Sequence, residues 1–305
     1  MATRLLALVG PTASGKSDAA VEIAARLGAE IVSVDSMTVY RGMDVGTAKP
    51  TEGERRRVPH HLFDVADPSE DFSVARYQEL AREALAAIAS RERPALLVGG
   101  TGLYFRAVVD ELEFPGTDPE VRRTLEAEAE VVGAEAMHRR LAAADPAAAT
   151  KIEPGNVRRT VRALEVAAVT GRPFSSFAER WDRYSGEPVR AAGVRMPADV
   201  LGSRIERRVR AQFEGALPDE ARVLLAGPGL SGTARQAIGY AEAIEHVSGL
   251  LTLDEAAERT AKRTRELARR QTAWFRRDPR IRWFEADERG AVALVDELTE
   301  FLRDG

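Results

Sequence analysis

Apolar residues follow two different periods along this chain. Short continuous runs occur at Arg4-Leu5-Leu6-Ala7-Leu8-Val9, at Glu30-Ile31-Val32-Ser33-Val34 and at Ala95-Leu96-Leu97-Val98, the last entered from Pro94. Runs of this length predict strands buried on both faces. Between them, apolar positions recur at helical spacing. Ala19, Ala20, Ile23, Ala24 and Leu27 form one stripe, closed by Gly28, and Val74, Tyr77, Leu80, Ala81, Ala84, Leu85 and Ile88 form another. Such stripes predict amphipathic helices with one face on a core. Strand–helix–strand alternation predicts a parallel sheet with crossover helices.

The pattern changes after Phe114-Pro115-Gly116. From Asp118 to about Trp181 the sequence is helical in character and gives no strand signal. Asp118-Pro119 and Asp145-Pro146 each predict an N-cap followed by a first-turn proline. Gly171, with Pro173 two residues on, predicts a helix stop. One helix should start at Pro154-Gly155-Asn156, with Val157, Val161, Leu164 and Ala168 as its buried stripe. Gly193-Val194-Arg195-Met196 predicts a return to the sheet. The expected architecture is α/β: a parallel sheet flanked by helices over 1–115 and 193–305, with an all-helical insertion at 116–192. Internal repeats and low-complexity linkers are not evident.

Chemistry enters at the first strand–helix junction. Gly10, Pro11, Thr12, Ala13, Ser14, Gly15, Lys16 and Ser17 form a complete GxxxxGK[ST] phosphate-binding loop, or P-loop. Strand, glycine loop and helix together aim backbone N–H groups and a helix N-terminus at a phosphate chain. Lys16 would reach the terminal phosphate oxygens, and Ser17 would ligate Mg2+. A nucleotide-hydrolysing enzyme would also carry an Mg2+-binding acid at the end of a second strand. Here the Ala95 strand runs into Gly99-Gly100-Thr101-Gly102, without one. The carboxylate instead follows the Glu30 strand, as Asp35-Ser36. This favours moving a group from a diphosphate or triphosphate onto an acceptor held near Asp35.

Composition narrows the setting. The absence of cysteine excludes disulfides and thiolate-bound zinc. No stretch approaches the roughly 18 apolar residues of a membrane span. The N-terminus runs straight into the first strand, so no signal peptide is expected, and the expected location is cytoplasmic. All but Lys16, Lys49, Lys151 and Lys262 of the 44 basic residues are arginine. In so alanine-rich a chain this partly reflects GC-rich coding and assigns no function by itself. Distribution is more informative. Glu258 to Arg282 holds ten basic side chains against three acidic ones, in a chain whose net charge is −4. That segment is either a footprint for a polyanion or a solvated arginine-rich helix. Arg158, Arg159 and Arg162 cluster on the predicted insertion helix, where phosphate contact and salt bridges to nearby glutamates are equally open. His60-His61 is a poor metal pair, because adjacent side chains diverge. Burial suits Trp274 and Phe275 better than stacking on bases.

These residues resemble the tRNA dimethylallyltransferases, also called tRNA isopentenyltransferases. The resemblance is carried by GPTASGKS at 10–17, DSMTVYRGMDVGTAKP at 35–50, HHLFD at 60–64 and LLVGGTGLYFRA at 96–107. It continues through DPEVR at 118–122, RRTVRALEV at 158–166, RIERRV at 204–209, AIGYAE at 237–242 and RRQTAWFRRD at 269–278. It implies transfer of a dimethylallyl group from dimethylallyl diphosphate to the exocyclic amine of the adenosine 3′-adjacent to the anticodon; a monomer is expected, though the sequence leaves the oligomeric state open. By the same resemblance Asp35 is the general base, Thr101 positions the adenine amine, the loop 10–17 holds the diphosphate, and Mg2+ is the cofactor. The tRNA anticodon stem-loop would meet Asp35, Ser36, Met37, Thr38, Thr101, Arg122, Arg158, Arg159, Thr160, Val161, Arg162, Arg208, Arg235, Gln236, Gly239 and Tyr240. Thr38 and Arg158 depart from the family, which commonly has glutamine at both positions. A small-molecule kinase, an adenylate isopentenyltransferase and a non-catalytic RNA-binding module are the rival readings. The first two need neither the arginine-bearing insertion nor the basic tail, and the third has no use for Lys16, Asp35 and Thr101.

Overall fold

The computed structural model describes residues 4–110, 112–180, 184 and 189–304. The chain forms two compact units, Met1–Val109 with Glu187–Gly305, and Asp110–Gly186. Residues 112–115 group with the second unit, and the strand from Val189 to Arg195 with the first. Trp181, where the helical stretch was expected to end, lies outside the described residues. Among the described residues no helix is long and apolar enough to cross a membrane.

The first unit opens with β1 (Leu5–Val9), α1 (Lys16–Leu27), β2 (Glu30–Ser33), α2 (Glu52–Arg57) and β3 (His60–His61). It continues with α3 (Val74–Ser90), β4 (Ala95–Gly99) and α4 (Gly102–Val109). The second unit holds α5 (Pro119–Val132), α6 (Ala134–Ala144), α7 (Pro146–Ala149) and α8 (Val157–Thr170). The first unit then resumes with β5 (Val189–Arg195), α9 (Ala198–Glu214), α10 (Leu217–Ala226), α11 (Gly232–Arg235) and α12 (Tyr240–Val247). It closes with α13 (Leu253–Phe275), β6 (Ile281–Glu285) and α14 (Val295–Arg303).

The strands form one parallel sheet in the order β3-β2-β4-β1-β5-β6. The continuous apolar runs are explained by burial on both faces. Leu6 and Leu8 of β1, with Leu96 and Val98 of β4, join a core with α1 and α14. Ala7, Val9, Ala95 and Leu97 join another with α3 and α4. β2, β4 and β1 are neighbours, so Asp35, Thr101 and the P-loop all follow the carboxyl ends of adjacent strands. Parallel sheets bind their ligands at that edge.

Residues 193–305 do not simply complete the sheet. Ile205, Val209 and Phe213 of α9, Ala257, Ala261 and Ala268 of α13, and Leu217 and Tyr240 form a helical cluster with Val39, Tyr40 and Met43. The basic segment is not one helix either. It comprises most of α13, a turn and the first two residues of β6, of which Ile281 is buried. In the second unit, Leu125, Met137, Leu141, Val161 and Leu164 form the core. The expected caps are present: Asp118 accepts from the Glu120 and Val121 amides, Asp145 from Ala148, and Asn156 from Arg159. Ala168, expected in the buried stripe of α8, is exposed, and Thr160, Ala163, Glu165 and Val166 are buried instead.

Candidate active site

The phosphate loop is built by backbone conformations that few residues adopt. Ala13 (φ 63°) and Gly15 (φ 80°) are left-handed, and α1 begins at Lys16. At Gly15 a side chain would be strained by the backbone and pressed between the Ala291 amide and Arg204, each 3.3 Å from an added Cβ. Lys16 is buried, and its Nζ donates to the Pro11 carbonyl at 3.2 Å. Arg204 of α9 braces the loop by donating to the Ala13 carbonyl at 2.8 Å. The Ser14 hydroxyl is fully buried without a hydrogen-bond partner among the described residues.

Asp35 and Thr101 are tied together through Ser36. The Ser36 N–H donates to Thr101 Oγ1 at 3.2 Å, and the Thr101 N–H donates to the Val34 carbonyl at 3.1 Å. This leaves the Thr101 hydroxyl proton for another partner. Asp35 Oδ1 accepts the Met37 amide at 2.9 Å, which fixes the carboxylate while its other oxygen makes no hydrogen bond among the described residues. Thr38 is buried beneath them, its hydroxyl 2.8 Å from that of Ser33.

Lys16 and Asp35 share a cavity of about 580 Å³, whose lining includes Thr12, Ser17, Asp18, Ser33, Thr38, Arg204, Arg207 and Arg208 but not Thr101. Its apolar wall includes Val45, Phe63 and Val98. Burial pulls Lys16 down to about 8, against the opposing field of Asp35, and the Arg208 charge adds to the fall. Burial also lowers Arg208, which Asp35 and Asp18 partly restore. An anion entering this space would relieve two crowded cations. Asp18 is pushed above its usual range by burial and by the Glu54 carboxylate, a condition a divalent cation would relieve in turn.

The residues expected to meet RNA divide sharply. Arg208 belongs to the phosphate cavity, beside Lys16 and Asp35. Thr160 and Val161 are buried in the second unit, so their side chains offer RNA no surface. Arg122 donates to Glu165 Oε2 at 2.8 Å, and so does Arg162, which also donates to the Pro115 and Gly116 carbonyls. Both ion-pair with Glu165 in this structure, Arg162 as one of the two alternatives for its helix foresaw. Tyr240 is buried and braces the 44–46 loop: its hydroxyl accepts from the Gly46 amide at 3.1 Å and donates to Glu220. Gly239 is buried, its amide donating to Glu242. Arg158, Arg159, Arg235 and Gln236 are exposed.

Within the basic segment, Arg259, Arg263, Arg265 and Arg280 are ion-paired, and Arg282 lies over the Phe284 and Phe301 rings. Lys262, Arg269, Arg270 and Arg276 are exposed and make no ion pair among the described residues. Phe275 is fully buried, whereas Trp274 is 36% exposed. His60 bonds the Val58 carbonyl and His61 bonds Glu30, each at 2.7 Å. Sequence reasoning missed Arg204 and Arg207 as cavity residues. The four-residue spacing of Arg204 and Arg208, which puts both on one helix face, was the available signal.

Residues 38–278 match the family profile described as IPP transferase, and residues 3–64 match that described as isopentenyl transferase. A tRNA dimethylallyltransferase of Streptomyces coelicolor is 51% identical over 97% of this chain and 94% of its own length. One from Geobacter metallireducens is 48% identical over 93% of both. The chain belongs to the tRNA dimethylallyltransferase family. Solved structures agree with that membership. The tRNA isopentenylpyrophosphate transferase of Bacillus halodurans is 41% identical, with a TM-score of 0.69 over 98% of this chain and 95% of that one. A eukaryotic dimethylallyltransferase acting on tRNA superposes with a TM-score of 0.75 at 25% identity, over 93% of this chain and 74% of that one. In this dimethylallyltransferase the cavity is lined by Lys16, Arg208 and Asp35, and Thr101 is tied to Asp35 through the Ser36 amide.

Proposed function

We propose that the enzyme binds dimethylallyl diphosphate in this cavity and transfers its prenyl group to the exocyclic amine of the adenosine 3′-adjacent to the tRNA anticodon. The observation that carries this reading is the placement of one carboxylate, Asp35, tied through Ser36 to Thr101, against a cavity lined by Lys16 and Arg208. The adenine nitrogen attacks the first carbon of the donor, a C–N bond forms, and the C–O bond to diphosphate breaks. Asp35 takes the amine proton, a contribution of roughly 10²–10⁴-fold. Thr101 positions the amine. Lys16, Arg208 and the loop amides stabilise the charge that collects on the leaving diphosphate.

Mg2+ fits the donor set. Among the described residues no group of three or more His, Asp or Glu side chains could hold an ion alone. The Ser17 hydroxyl and the nearby Asp18 carboxylate are hard oxygen donors of the kind that share Mg2+ with substrate phosphates and water. Bound with Ser17, Mg2+ would neutralise diphosphate charge.

A stacked adenine hides its amine, so the nucleotide must turn out, at a cost of a few kcal/mol. Exposed Lys262, Arg269, Arg270 and Arg276, with Arg235, supply phosphate contacts that offset this. In the helical unit, exposed Arg158 and Arg159 are suited to the same backbone. The test is to supply dimethylallyl diphosphate labelled in its prenyl carbons, or ATP, with tRNA or AMP as acceptor. Label should enter only tRNA, at the adenosine beside the anticodon, without ATP consumption. Label in AMP would assign an adenylate isopentenyltransferase, and tRNA-stimulated ATP turnover would assign a kinase or motor.

A further inference from the structure

Gln271 of α13 joins two loops that the sequence keeps far apart. It is buried, and its Oε1 accepts the Thr12 N–H of the phosphate loop at 2.8 Å across 259 residues of chain. Its amide nitrogen lies against Gly100. A Cβ there would sit 2.3 Å from Gln271 Nε2, so the residue before Thr101 must lack a side chain for the amide to fit. One turn later the Trp274 indole covers Gly102 as tightly, 1.9 Å from where a Cβ would stand. The glycines on either side of Thr101 thus lie against two α13 side chains, and the Thr101 hydroxyl holds the Ser36 amide beside Asp35.

We propose that Gln271 is a positioning residue that sets the spacing between the donor loop and the Thr101–Asp35 acceptor loops. Direct displacement needs the amine nitrogen, the donor carbon and the leaving oxygen in line, and a shift of about 1 Å in such an arrangement costs on the order of 10²-fold. Either loop alone keeps its own hydrogen bonds without Gln271, so each substrate should still bind. What suffers is their mutual alignment, which is a loss in kcat rather than in KM. Structural bracing alone would lower thermal stability and leave the folded enzyme's kcat in place. The role rests on the assignment of the P-loop to the donor and of Asp35 and Thr101 to the acceptor.

The experiment compares Gln271→Met, which keeps the volume and removes the acceptor, with Gln271→Glu, which keeps an acceptor for the Thr12 amide. The Met variant should lose about 10- to 100-fold in kcat, with KM for donor and tRNA each within about threefold. The Glu variant should recover most of kcat while raising donor KM through its added negative charge. Gly100→Ala forces the Gln271 amide aside from the other direction and should repeat the kcat loss, which keeps the test decisive if the Met variant fails to fold. Wild-type-like kcat in Gln271→Met or Gly100→Ala, or a Glu variant no better than Met, overturns the proposal. An Asp35→Asn control that stays active would instead overturn the site assignment beneath it.

Discussion

Two arginine groups in this enzyme look alike in sequence and differ in what they face. On α9, Arg208 lines the cavity and makes no hydrogen bond among the described residues, with the charges of Asp35 and Asp18 partly offsetting its burial. In the helical unit, Arg122 and Arg162 converge on Glu165, which is fully buried. Burial pushes Glu165 up, but the two guanidinium groups hold it below the usual carboxylate range. An arginine opposite a buried acid completes the fold. An arginine opposite an open cavity has charge left for a ligand. Residue type and spacing do not separate these cases; the opposing surface does.

The sharpest test on the cavity side is Asp35→Asn. Single-turnover transfer with saturating substrates should fall by about 10²–10⁴, with tRNA binding within a few-fold of wild type. A variant that keeps above about half the rate would remove Asp35 from the mechanism. The next test uses pH. Lys16 is depressed to about 8, so it loses its proton as pH rises through that value, and donor affinity should fall by up to about tenfold per unit above it. Calorimetry of dimethylallyl diphosphate binding in buffers of different ionisation enthalpy should register proton uptake near and above pH 8. Lys16→Arg should flatten the profile, since guanidinium does not titrate there; a steep fall in that variant would point to another group.

On the fold side, Arg162→Ala should destabilise the helical unit by about 1–3 kcal/mol, because it strips a buried carboxylate and two carbonyls of a donor. Thermal or urea unfolding reads this directly, and transfer at saturating tRNA should persist while the unit is folded. Unchanged stability with weakened tRNA binding would move Arg162 to the ligand-facing class. The smallest effect is expected on the exposed face of α13. Arg269→Ala and Arg270→Ala should each reduce the log–log salt slope of tRNA binding by about one unit. Filter binding across a salt series measures it, and an unchanged slope would return these residues to the solvated face.

Much of the site was legible because its signals are local. The P-loop needs consecutive residues with particular backbone freedom, and the apolar runs of β1 and β4 alternate between two cores whatever else the chain does. The N-caps at Asp118, Asp145 and Asn156 are equally local. Asp35 stood out as the carboxylate after the Glu30 strand, and family resemblance added its expected role and Thr101, both at strand ends and so sequence-near. Contacts made across the chain were not legible. Glu165 carries no mark of burial beside Arg162, and its two partners come from different helices. Tyr240 and Arg208 sit in stretches that resemble RNA contacts, yet Tyr240 braces the Gly46 loop and Arg208 lines the cavity beside the P-loop. Gln271 meets Thr12 only after α13 has packed beside the sheet. The sequence by itself determined which segments form strands, helices and the phosphate loop, since those depend on neighbours a few residues away. Which charged and polar side chains serve the fold and which remain for substrate depended on partners brought together by packing, and only the tertiary structure decided that.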